Sequence, residues 1–168
     1  MIPAQPRLPE YDEFSAVIFR TDFTDEAAWT QVVTEVRLSS LDDADPERSY
    51  TVVDVPLLGD ADSETVLAVL AAWRKGWEPP AVVFIADSTT MSSALFPLLA
   101  VTTLTGEDAL DDEEYEETVE HGPVFRTLPR EIHAIHANVE GANTGFQDFS
   151  SAAHEAPDGV YRSCGEDD

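Results

Sequence analysis

The stretch Ala81-Val82-Val83-Phe84-Ile85-Ala86 decides the fold. It is apolar throughout and rich in β-branched and aromatic residues, so it reads as a strand with no polar face to give to water. Such a strand belongs at the centre of a sheet covered on both faces, as in α/β proteins. Asp87 to Ser93, DSTTMSS, follows as a polar turn or short helix, and Leu98 to Leu104 reads as the next strand. Upstream, Val66, Leu67, Val69, Leu70 and Trp73 fall at helical spacing. Asp62 or Ser63 would cap that helix, Lys75 suits its C-terminal end and Gly76 suits the position beyond.

Working outward, the alternation continues. Phe14 to Arg20, FSAVIFR, and Tyr50 to Val55, YTVVDV, are strands, the second stopped by Pro56. Between them Thr24 reads as an N-cap, with Asp25 and Glu26 in a first turn whose dipole favours acids. Ala28, Trp29, Val32, Val33 and Val36 give that helix its apolar face, ahead of a polar loop from Ser39 to Arg48. Trp29 and Trp73 are expected in the core, where Trp at helical spacing with Val and Leu packs inward. Toward the C-terminus, Val124 to Leu128 is a strand and Pro129 suits the first position of a helix over Arg130 to Val139. The segment from Gly141 to Gly145 breaks it. Thr144 and Gln147 have capping-box spacing for a last helix containing Phe146, Phe149 and Ala153, and Val160 to Arg162 reads as a short strand. Helices that alternate with strands favour a parallel sheet, while the closely spaced later strands suit antiparallel pairing. The expected architecture is an α/β three-layer sandwich with a mixed, mostly parallel sheet of about five strands flanked by helices. The expected organisation is a Pro-rich extended arm over 1–12, a single domain over 13–162 with an acidic loop at 105–121, and an acidic tail over 163–168.

Charge sets the second constraint. The chain has 168 residues, 34 Asp and Glu against 9 Lys and Arg, and a formal net charge of -25. The run from Glu107 to Glu120 contains no base, yet outside it and the acidic tail acids still outnumber bases more than twofold. Such a surface repels nucleic acids and anionic lipid and attracts basic proteins or cations. Solubility alone also accounts for high net charge. Cys164 is the single cysteine, so no internal disulfide forms and a reducing cytoplasm fits. No apolar stretch suits a signal peptide or a membrane span, which makes a bacterial cytoplasmic protein the expectation. No cofactor motif is present.

Three segments carry a resemblance. They are Phe19-Arg20-Thr21-Asp22-Phe23-Thr24-Asp25 with Ala28-Trp29, and Phe84-Ile85-Ala86-Asp87-Ser88-Thr89-Thr90. The third is Phe125-Arg126 with Pro129, Asn138-Val139-Glu140, Ala142-Asn143, Phe146 and Phe149. Over roughly residues 14–160 the chain resembles an uncharacterised family of small acidic actinobacterial proteins, a domain of unknown function. The resemblance implies an α/β fold and a bacterial source, and it implies no activity and no catalytic residues.

Four constellations are candidates for function. Asp22, Asp54 and Asp87 follow or end the first three strands; if those strands are parallel neighbours, their carboxyl ends share the edge where open α/β sheets bind ligands. With Arg20 to clamp an anion and Ser88, Thr89 and Thr90 to add hydroxyls, such an edge could hold Mg²⁺. The competing reading is that each Asp caps a helix or closes a turn. His133, His136 and Glu140 share a helical face and could bind Zn²⁺, against the plainer reading of packed histidines. The stretch Asn138 to Phe149 offers a helix start to an anion, although a helix–turn–helix connection explains it as well. The last is the acidic segment itself: Asp108, Asp111, Asp112, Glu113, Glu114, Tyr115, Glu116 and Glu117 would face a basic protein, with Tyr115 as an interface anchor. The leading expectation is a non-enzymatic interaction protein; the alternative is a small ligand-binding or Mg-dependent enzyme domain using Arg20, Asp22 and Asp87.

Overall fold

The computed structural model describes residues 16–42, 50–54, 58–73, 80–104, 109–141 and 144–162. The expected arm at 1–12, the loop around Pro46, Lys75, Gly76, Asp108, Cys164 and the tail at 163–168 lie outside them. In chain order the elements are β1 (Ala16–Arg20), α1 (Glu26–Asp42), β2 (Tyr50–Val53), α2 (Ser63–Trp73), β3 (Val82–Ala86), α3 (Ser88–Ser92) and β4 (Leu98–Thr102). Then come α4 (Asp112–Thr118), β5 (Val124–Thr127), a 3-10 turn (Pro129–Glu131), α5 (Ile132–Glu140), α6 (Phe146–Glu155) and β6 (Val160–Tyr161).

One six-stranded sheet runs in the order β2-β1-β3-β4-β5-β6. β1 is parallel to β2 and β3, β4 is antiparallel to β3 and β5, and β6 is parallel to β5. Every residue of β1 and β3 is buried, as expected for central strands, whereas edge strand β2 alternates. The short strand expected at Val160 to Arg162 is the two-residue β6, which pairs with the C-terminal end of β5 and brings the expected sheet of about five strands to six.

Strand alternation sends side chains to two cores. On one face Ala16, Ile18, Val82, Phe84, Leu98, Ala100 and Phe125 meet Trp29, Val32 and Val36 of α1, Ile132 and Ile135 of α5, and Phe146 and Phe149 of α6. On the other, Val17, Phe19, Val53, Val83, Ile85 and Val101 meet Leu58 and Val66 and Leu70 of α2. Burying each large aliphatic or aromatic side chain is worth about 1.5–3 kcal/mol. The result is the expected three-layer sandwich. Trp29 lies in the first core; the side chain of Trp73 is outside the described residues.

Several local expectations shift. α1 runs on to Asp42, through Ser39 and Ser40, where a loop was expected. Its cap is Asp25, whose Oδ1 accepts from the Ala28 N–H at 2.9 Å, and not Thr24. For α6 the cap is Gly145, whose N–H donates to Asp148 Oδ2 at 3.0 Å, so the Thr144–Gln147 pairing gives way to one a residue later. Pro129 opens a 3-10 turn that leads into α5.

Candidate functional site

The topology places the C-terminal ends of β1, β2, β3, β5 and β6 on one sheet edge, with the start of β4. α1 and α2 leave for opposite faces, so the crevice between β1 and β3 is the point where open α/β sheets take ligands. Here backbone bonds close it. Thr21 N–H donates to Ala86 O at 3.0 Å, and Asp60 N–H, from the loop before α2, donates to Thr21 O at 2.7 Å. Asp60 holds φ of 61° to make that approach.

Arg20 ends β1 with only 4% of its side chain exposed. Its guanidinium carbon lies 4.7 Å from the Phe23 ring centroid and 4.9 Å from that of Trp29. Nη2 pairs with Glu26 Oε1 at 2.6 Å, Nη1 lies 3.7 Å from Asp54 Oδ2, and Nε donates to Asp22 O at 3.1 Å. A buried cation needs such partners. The arginine therefore fastens the β1–α1 connection and does not present its fork to a ligand. Asp22 is buried too, and its Oδ1 accepts from the Thr24 N–H at 2.8 Å and from Thr24 Oγ1 at 2.5 Å, which closes a turn.

Asp87 makes two sets of bonds. Its Oδ1 accepts from the Thr90 N–H at 3.1 Å, and Thr90 Oγ1 accepts from the Asp87 N–H at 3.2 Å, a capping box for α3. Both oxygens also take the Arg126 fork, Nη1 to Oδ1 and Nη2 to Oδ2, each at 2.8 Å. Burial works to raise the Asp87 carboxyl, but the hydrogen bonds from Arg126 and Thr90 and the charge of Arg126 outweigh it and hold the group below the usual carboxylate range. Ser88 and Thr89 are exposed beside it. Thus Asp22 and Asp87 share an edge, yet each carboxylate is engaged by its own neighbours. Among the described residues there is no group of three or more His, Cys, Asp or Glu that could hold a metal ion.

His133 and His136 are buried in α5, with His133 Nε2 3.2 Å from Val36 O, whereas Glu140 is exposed and accepts from the Ala81 N–H. The three do not form a shared ligand set.

The acidic segment lies at the opposite end of the sheet, because antiparallel β4 carries the chain there before β5 brings it back. Where the sequence pointed to a loop with a helical turn, the structure has the helix α4, beside α6. Asp111 caps it, with Oδ1 accepting from the Glu114 N–H at 2.8 Å, and Glu114 Oε2 reaches back to the Leu110 N–H at 2.6 Å. Asp112, Glu113 and Glu114 fill the first turn, where the helix dipole welcomes acids. No residue of α4 is buried; Glu114 and Tyr115 are half-buried, and Asp111, Asp112, Glu113, Glu116 and Glu117 are exposed.

Sequence reasoning did not pick out Arg126 as the partner of Asp87, or Phe23 and Trp29 as the walls around Arg20. A family model described as a domain of unknown function, DUF6924, matches residues 15–164. No curated protein matches the chain. Among the described residues no helix is long and apolar enough to cross a membrane.

Proposed function

We infer that this chain, which belongs to the DUF6924 family of unknown function, is a non-enzymatic interaction protein of the bacterial cytoplasm that docks a basic protein on its acidic face. An immunity-like or regulatory role fits that physics. The observation that carries the reading is α4: an acid-rich helix with no buried residue and no base in its last turn. Glu116 and Glu117 sit toward the helix C-terminus, where the dipole disfavours carboxylates, so local stability does not explain them. Against a basic surface the same carboxylates attract the partner and speed its approach. Tyr115, half-buried among them, supplies an amphipathic contact of the kind enriched at interfaces. The sheet edge favours this reading over a small ligand or Mg²⁺ enzyme, because Arg20, Asp22 and Asp87 are engaged within the chain.

The test is capture from native lysate by tagged wild-type protein and by a Glu113→Gln/Glu116→Gln/Glu117→Gln variant. A basic protein held in stoichiometric amount by wild type and lost with the variant is the expected result. Equal capture by both, or by neither, would overturn the reading.

A further inference from the structure

We draw no further inference here: the strongest candidate, the exposed Leu110 that precedes α4 on the acidic surface, belongs to the docking face already described, and nothing in the structure shows what covers it.

Discussion

Arg20 and Asp87 show how single residues on the sheet edge act on the fold. Arg20 combines a guanidinium held over two aromatic rings with a fork of donors, and lysine has neither the planar group nor the fork. Arg20→Lys should therefore cost about 2 kcal/mol in urea denaturation; an unchanged midpoint would mean that the aromatic walls contribute nothing. At Asp87, asparagine can still cap α3 but cannot pair with Arg126, so Asp87→Asn isolates the ion pair and should cost about 2 kcal/mol near neutral pH. The folded Asp87 carboxyl titrates below its unfolded value. Its contribution is thus fully present above the usual carboxylate range and is lost as pH falls through the depressed value. The stability gap between wild type and Asp87→Asn should be constant above about pH 5 and shrink toward pH 3. A gap that stays constant into acid would remove the ion pair from the explanation. Neither arrangement was legible in the sequence. Asp87 and Arg126 are 39 residues apart and meet through the β3–β4–β5 register, which no local pattern encodes.

At the scale of elements, the apolar runs of β1 and β3 and the helical spacing of α1 and α2 were readable, because burial on two faces leaves a periodic signature. Cap positions slipped by one residue, since Thr24 and Asp25 are both good caps and only the tertiary entry angle selects Asp25. The helical nature of α4 was under-read for a different reason. Its acid content resembles a solvated loop, although Asp111 and Glu114 have the spacing of a capping box. Seven residues are too few for a helix without such aid. Asp111→Ala should therefore destabilise α4 by about 1 kcal/mol and speed amide exchange over residues 112–118. The global unfolding midpoint should hardly move, because no residue of α4 is fully buried. A large drop in that midpoint would show that α4 is part of the core structure.

For the whole molecule, the two candidate regions lie at opposite ends of the sheet. The edge where α/β proteins hold ligands is closed by backbone bonds and internally paired charges. The other end presents the unburied acidic helix. Net charge was legible at once, yet where it concentrates depended on strand direction, which the sequence left open after β3. The most direct measurement is capture by the tagged protein from native lysate at low salt, repeated at high salt and read by mass spectrometry. Docking by the acidic face predicts a stoichiometric basic protein at low salt that is lost at high salt, because exposed charges are screened within about one Debye length. No such protein at low salt, or one retained equally at high salt, would contradict it.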